Sequence, residues 1–237
     1  MIGILLGALL FFSGETDRIL AEAFAKYRSG EYAVARDLYA RAAAEGAEGG
    51  EVRYNLGNCE ARVGDYAKAL AEYRRAEKFL PRDGDLRHNI EVVRRKLGFS
   101  TEAPGLTDTL RGLLTAFTRR ELLFAALLFE ALFFGLRALH VLRPFGILRL
   151  SSTCAGLGLF LALAFLGHEV FVRAARREAV VLSESAARSE PRADREEVLR
   201  LRPGVEVRLL GRERDWVRIR APGGGLGWVP AESVETI

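Results

Sequence analysis

The sequence has few of the residues from which catalytic and metal sites are usually built. It has two cysteines, three histidines and one methionine in 237 residues. Cys59 and Cys154 are too few to staple a small disulfide-bonded domain. His88, His140 and His168 lie far apart, and no nucleophile–base pair, nucleotide motif or metal-ligand spacing accompanies them. The sequence therefore predicts a protein that is not an enzyme and that holds no cofactor or metal.

The charge distribution argues against a nucleic-acid partner. The net charge is +4. Segment 101–177 contributes that whole excess, with nine basic and five acidic residues, whereas 15–100 has 16 and 15 and 178–237 has 10 and 11. A nucleic-acid-binding domain needs a basic surface of its own. Arginines around an apolar block instead fit a segment that touches anionic lipid headgroups.

Two long apolar segments lie in this middle block. They cover 122–142 and 148–172, and the second has no charge from Leu150 to Gly167. About 20 apolar residues suffice to cross a bilayer core. Pro and Gly within 143–149 predict a turn. We predict two transmembrane helices in 121–174. The alternative is a buried helical pair in a soluble protein, which the flanking arginines disfavour.

The first 14 residues form an apolar leader. An 11-residue apolar run begins at Ile2, which is too short to span a membrane and typical of a signal peptide. However, no Lys or Arg precedes the run, and Ser13-Gly14 is not an A-x-A cleavage site. Two interpretations stay open: a signal peptide over 1–14, or an uncleaved apolar start to the first helix.

Segment 15–100 contains a repeat with a period of 34 residues. The motif Gly30-Glu31-Tyr32 recurs as Gly64-Asp65-Tyr66. At the same offset, the matched pairs are Ala35 and Ala69, Tyr39 and Tyr73, and Ala42 and Ala76. This period resembles the tetratricopeptide repeat, a helix–turn–helix unit. We predict repeats over 16–49 and 50–83, with small residues such as Gly57 where the two helices cross, followed by a capping helix.

Three asparagines are candidate ligands of a peptide. The resemblance to tetratricopeptide repeats implies a groove lined by the first helix of each repeat. Asn55, Asn58 and Asn89 are the candidate groove residues, and their amides can hydrogen-bond a peptide backbone. The alternative is that they are ordinary helix residues.

The membrane block offers a second candidate contact. Residues 101–120 predict a linker and then an interfacial amphipathic helix, because large apolar residues recur there at helical spacing. Glu130 falls near the middle of the first predicted span, and Arg137 lies two turns further along the same face. Ionisable residues inside a membrane are functional candidates. This face, with Glu130 and Arg137, either meets a transmembrane helix of a partner, or Glu130 is protonated and hydrogen-bonded inside the hairpin.

Segment 178–237 changes to a period of two. Apolar and polar residues alternate around Val207 and again around Val217, with turn sequences rich in Gly and Pro between them. This pattern predicts short half-buried strands. The order of landmarks resembles the bacterial SH3-like domain, a small all-β barrel that closes on Gly227-Trp228-Val229. Trp216 and Trp228, the two aromatics of this segment, are the candidate ligand face.

The fold class is therefore multidomain: an all-α tetratricopeptide-repeat module, a transmembrane helical hairpin and a small all-β SH3-like barrel. This order resembles the BatE-type proteins of the Bat (Bacteroides aerotolerance) operons. The resemblance implies a non-catalytic scaffold in the bacterial inner membrane, with both soluble modules in the periplasm. It implies protein partners, namely von Willebrand A-domain membrane proteins and a periplasmic Bat-type protein, besides the membrane lipid.

Two other hypotheses remain open from the sequence. One is a sensor or anchor whose SH3-like domain binds peptidoglycan or a peptide. The other is a cytoplasmic peptide adaptor, which requires that the leader is not a signal peptide.

Overall fold

The computed structural model describes residues 2–47, 49–100, 118–175 and 177–237. The chain forms two compact units. One combines Met1–Glu102 with Arg177–Ile237, and the other is Ala103–Arg176, so the second unit is an insertion into the first. The predicted linker and interfacial helix fall mainly on 101–117, which lies outside the described residues.

The described part of the chain forms seven α-helices. Five precede the insertion and two lie within it. They are α1 (Ile2–Arg28), α2 (Tyr32–Ala44), α3 (Gly50–Val63), α4 (Tyr66–Glu77), α5 (Gly84–Lys96), α6 (Arg119–Leu142) and α7 (Gly146–Ala175).

The first helix continues without a break from the apolar leader. Its hydrogen-bonded backbone runs from Ile2 to Arg28, so Ser13-Gly14 lies inside a helix. Further along, Ile19 and Ala23 are buried, and Ala23 packs in a cluster with residues of α2 and α3. Residues 2–14 and the start of the first predicted repeat thus lie in one helix, and we define α1–α5 as the helical module.

Consecutive helices of this module form hairpins with the turns that the sequence predicts. Gly64 ends α3 with φ 90°, a left-handed conformation that glycine adopts without steric cost. The Asp65 side chain then caps α4 by accepting a hydrogen bond from the Lys68 amide at 3.2 Å. Asp83 caps α5 in the same way, through the Leu86 amide at 2.9 Å.

The helices of the second hairpin approach each other closely at Gly57. A Cβ atom on Gly57 would stand 2.6 Å from the ring of Tyr73, whose side chain is buried in the core of the module. This contact explains why a glycine faces an aromatic residue across the helix crossing. The helical core contains Leu70, Leu86, Ile90 and Val93 around that ring.

A carboxyl group is buried in the same module. Glu60 is only 7% exposed, and its Oε2 atom has no hydrogen-bond partner within the described part of the chain. Burial, helped by the nearby Asp65 carboxylate, raises the pKa of Glu60 to about 6. Folding therefore favours the protonated form of Glu60. Its protonation contributes to the free energy of unfolding at low pH, and this contribution is lost as the pH rises through about 6.

The inserted unit is a helical hairpin, α6 and α7. Thr118 and Glu121 form a capping box at the start of α6. Pro144 separates the helices, and α7 begins at Gly146, two residues earlier than the start predicted at 148. Proline is tolerated just before a helix start, and three residues are enough for this turn. The far end differs too, since α7 extends to Ala175 rather than ending at 172.

Small residues on α7 face large residues on α6. A Cβ atom on Gly158 would stand 2.6 Å from the ring of Phe129. The ring of Phe133 lies against Gly156 in the same way. Ala155 and Ala162 are also buried on this side, whereas Cys154 is exposed. Of the small residues on α7, Gly156 and Gly158 therefore face α6, whereas Cys154 is exposed.

The C-terminal segment folds into one antiparallel sheet of seven strands in the order β3-β2-β6-β5-β4-β1-β7. Its core holds Val181, Val207, Val217, Ile219 and Val229. The strands are β1 (Arg177–Val181), β2 (Ser185–Arg188), β3 (Glu197–Leu201), β4 (Glu206–Glu213), β5 (Trp216–Arg220), β6 (Leu226–Pro230) and β7 (Val234–Thr236), with a short 3-10 helix, Ala231–Ser233, before β7.

The Gly57–Tyr73 contact predicts a position-specific response to alanine. Gly57→Ala should lower the free energy of unfolding by about 1–3 kcal/mol, because the new methyl group must displace the Tyr73 ring. Gly84→Ala is the matched control, since no atom lies within 4 Å of its Cβ position and alanine is the better helix former. Thermal and denaturant unfolding of the purified protein would measure both. Equal destabilisation by the two variants would contradict the close approach.

Candidate functional site

The outer face of the C-terminal sheet carries its two tryptophans. Strand β5 alternates Val217 and Ile219, which are buried, with Trp216, Arg218 and Arg220 on the other side. Pairing with β6 places Trp228 directly across from Arg218. Strand β2 then places Arg188 on the other side of Trp228. Trp228 therefore lies between two arginines in one row across three strands.

A second row runs parallel to the first. Arg220 of β5 stands across from Arg208 of β4 on one side and from Leu226 of β6 on the other. At the opposite end of β5, Trp216 stands between Glu213 and Pro230. Both tryptophans are half-buried and outside the apolar core. We call this surface the Trp–Arg face, formed by Arg188, Arg208, Trp216, Arg218, Arg220 and Trp228.

The helical module covers the other part of the same outer surface. Val180 points outward from β1, yet it is fully buried because it joins the core formed by α4 and α5. The C-terminal Ile237 packs against the same core. In the turn before β4, a Cβ atom on Gly204 would stand 2.5 Å from the Leu97 side chain, so the turn also contacts the end of α5.

Ion pairs surround this apolar contact. The Glu206 carboxylate accepts hydrogen bonds at 2.9 Å from both Arg74 of α4 and Arg94 of α5. Burial lowers the pKa of Arg74, but the carboxylates of Glu206 and Glu77 outweigh it, and the net pKa is raised.

A second set of ion pairs involves the last strand. Arg75 donates to the Glu235 carboxylate at 2.6 Å and to the Thr236 carbonyl at 2.9 Å, and it also contacts Glu72. The helical module and the sheet are therefore joined by apolar and charged contacts together. They leave the Trp–Arg face uncovered by the described residues of this unit.

Sequence comparison agrees with this geometry. Residues 185–235 match the family of the bacterial SH3 domain. The chain carries a bacterial SH3 domain at its C-terminus. The SH3-like fold predicted for this segment is thereby confirmed, and Trp216 and Trp228 both lie inside the matched residues. A search of curated proteins found no match to the chain.

The predicted groove asparagines lie in two different settings. Asn58 accepts hydrogen bonds from the Tyr73 hydroxyl at 2.7 Å and from the Asn89 amide at 3.1 Å. Asn89 also donates to the Tyr54 hydroxyl at 3.1 Å. Asn58 and Asn89 thus belong to a network that ties α3, α4 and α5 together. Asn55 lies outside this network and is half-exposed.

The predicted intramembrane residues lie on the outside of their hairpin. Both Glu130 and Arg137 are exposed on α6, whereas Ala126, Phe129 and Phe133 of that helix turn toward α7. Glu130 is not enclosed between the two helices.

Metal-ligating residues do not cluster in the part of the chain that the structure describes. No group of three or more His, Cys, Asp or Glu side chains there could hold an ion.

Neither the arginines beside the tryptophans nor the helix arginines that bind Glu206 were predicted from the sequence. The alternation of Trp216, Arg218 and Arg220 already places these three residues on one face. The contact of Glu206 with Arg74 had no such signal, because the two residues are 132 positions apart.

Removing the charge of Glu206 tests the contact between the SH3 domain and the helical module. We expect Glu206→Gln to lower the free energy of unfolding by about 1–3 kcal/mol, because two partly buried arginines lose their shared carboxylate. Glu197→Gln is the control, since its partner Arg200 is largely exposed and such pairs contribute less than about 1 kcal/mol. Thermal unfolding and limited proteolysis would compare them. Indistinguishable variants would mean that the ion pairs do not hold the two parts together.

Proposed function

We propose that this chain is a non-catalytic, membrane-anchored binding protein of the bacterial envelope, and that its SH3 domain binds peptidoglycan or a peptide. The observation that carries the proposal is the Trp–Arg face. It lies within residues that match a bacterial SH3 domain, and the described residues of its unit leave it uncovered. Bacterial SH3 domains commonly bind such ligands.

The inserted hairpin supports the membrane anchor. Arg120–Leu142 and Gly146–Gly167 are long and apolar enough to cross a bilayer. Only 11% and 17% of the most apolar 18-residue stretch of each helix is buried. Large side chains such as Phe124, Val141 and Phe160 are two-thirds exposed or more. A core helix of a soluble protein would bury such residues, whereas hydrocarbon solvates them. We therefore assign α6 and α7 to the inner membrane.

The helical module supports a role in protein–protein contacts. Its hairpins, its 34-residue period and the close helix crossing at Gly57 fit two tetratricopeptide repeats with α5 as a capping helix. The whole order of segments fits a Bat-type scaffold, with von Willebrand A-domain and periplasmic Bat-type proteins as partners. In this scaffold form of the proposal, the helical module binds a protein through a surface that includes Asn55. The SH3 domain then serves as a docking module or a spacer within the complex.

Thiol labelling in cells tests the membrane arrangement. Single cysteines are introduced by Asp37→Cys, Glu232→Cys and Arg143→Cys in a Cys154→Ser background. Cys59 can stay, because it is buried and burial raises the pKa of its thiol to about 12. A membrane-impermeant maleimide should reach the first two sites from the periplasm, and the Arg143→Cys site in the turn only after the inner membrane is opened.

Two results would contradict this arrangement. Labelling of all three sites from the same side would mean that the hairpin does not cross the membrane. Protection of Asp37→Cys and Glu232→Cys until lysis would place both soluble parts in the cytoplasm, as the peptide-adaptor hypothesis requires.

Sedimentation with purified peptidoglycan tests the binding function. The full chain in detergent should pellet with the cell wall, and Trp228→Ala or Trp216→Ala should weaken binding about tenfold or more, as expected when an aromatic anchor is truncated. Phe24→Ala is the control, because it removes an exposed aromatic side chain from the helical module instead. Circular dichroism would establish that the variants are folded.

Retention of full binding by both tryptophan variants would exclude the Trp–Arg face as the site. No binding of the wild-type chain to peptidoglycan would favour the Bat-type scaffold.

A further inference from the structure

The Trp–Arg face holds more positive charge than the SH3 domain neutralises. Arg208, Arg218 and Arg220 form no ion pair within the described part of the chain. Other arginines of the domain do: Arg192, Arg195 and Arg200 pair with neighbouring carboxylates. Arg202, Arg212 and Arg214 also form no ion pair among the described residues, so the face is one of several places in the domain that lack anions.

Acidic residues lie at the edges of the face. Glu178 stands across from Arg208 in β1, and Glu213 stands across from Trp216 in β4. Neither glutamate approaches an arginine within ion-pair distance among the described residues. Glu197 of β3 stands across from Arg188 and forms its ion pair with Arg200. The four arginines of the face and these three glutamates leave a formal excess of one positive charge around the tryptophans.

The pairing register brings like charges together. Arg208 and Arg220 are direct cross-strand neighbours, an arrangement that destabilises a sheet because the two guanidinium groups repel each other. Arg218 stands one row away, beside Trp228. A bound anion between these side chains would remove the repulsion.

The net charge of the whole SH3 domain limits which class of anion the Trp–Arg face can bind. Residues 178–237 carry ten basic and eleven acidic residues, so the domain is not basic overall and would repel a polyanion such as nucleic acid beyond this face. A small group with one or two negative charges suits the site better. Guanidinium forks bind carboxylates through two parallel hydrogen bonds, and tryptophan rings pack against the aliphatic part of a peptide.

We propose that the Trp–Arg face binds free carboxylates of the peptide chains of peptidoglycan, with Arg218 and Arg220 as the carboxylate-binding residues and Trp228 as the apolar support between Arg188 and Arg218. This inference rests on the proposed function and deepens it, because it names the chemical group that the SH3 domain recognises. Cell-wall peptides offer such carboxylates repeatedly on one surface, so several copies of the protein can bind side by side.

The test uses the full chain in detergent and purified peptidoglycan in two forms. One form is native, and in the other the free carboxylates are converted to amides with a carbodiimide and ammonia. We expect amidation to weaken binding of the wild-type protein about tenfold or more, because charge-assisted hydrogen bonds are lost. Binding to native peptidoglycan should also weaken as the salt concentration rises.

Variants identify the residues. Arg218→Gln and Arg220→Gln should each weaken binding to native peptidoglycan and reduce the difference between the native and amidated forms. Both side chains are exposed, so the fold should tolerate these changes. Arg95→Gln is the matched control, because it removes an exposed arginine from α5, outside the SH3 domain. Trp228→Ala should weaken binding to both forms.

The outcomes separate the inference from the proposed function. Equal wild-type binding to native and amidated peptidoglycan, with Arg218→Gln and Arg220→Gln unaffected, would overturn carboxylate recognition while the binding function stands. Binding neither to the two forms of peptidoglycan nor to a soluble glutamate-rich peptide would overturn both. Wild-type binding to a soluble glutamate-rich peptide but not to peptidoglycan would overturn the cell wall as the source of the carboxylate.

Discussion

The contact between the helical module and the SH3 domain depends on one carboxylate. Glu206 projects from the sheet between Arg74 and Arg94, which come from two different helices. Apolar burial supplies most of the energy of such a contact, and Val180 alone contributes roughly 1.5–3 kcal/mol by entering the helical core. Apolar contacts are not directional, however, whereas a carboxylate shared by two guanidinium groups has one geometry. The ion pairs therefore set which part of the sheet meets the helices.

The contact with the helices divides the outer surface of the SH3 domain into two parts with different roles. The part formed by β1, β7 and the start of β4 is covered by α4 and α5, whose arginines pair with Glu206 and Glu235. The part formed by β5, β6 and β2 holds the tryptophans and keeps unmatched charge. Because the covered part holds the domain in place, a ligand on the open part meets a prearranged surface and little ordering entropy is lost on binding.

Local features were predictable from the sequence, and long-range ones were not. The turn at Gly64, the cap at Asp65 and the alternation around Val217 follow from backbone sterics and side-chain period, which act over a few residues. The bacterial SH3 domain followed from the order of such landmarks. Placing Arg188, Trp228 and Arg218 in one row requires knowledge of the strand register. The role of Glu206 depends on its contact with Arg74, which the inserted segment separates from it in the sequence. The start of α7 at Gly146 lies two residues before the predicted segment, because only three residues separate the two helices at Pro144.

The insertion of the hairpin into a single unit has a consequence for synthesis. The ribosome completes the helical module first, then α6 and α7, and only afterwards the strands that cover α4 and α5. Until 177–237 emerge, Arg74, Arg75 and Arg94 have no carboxylates from the sheet, and the helical core lacks Val180 and Ile237. The nascent chain therefore exposes an incomplete core while the apolar hairpin is being made. This interval is when a chaperone or a partner subunit would have the most to gain by binding.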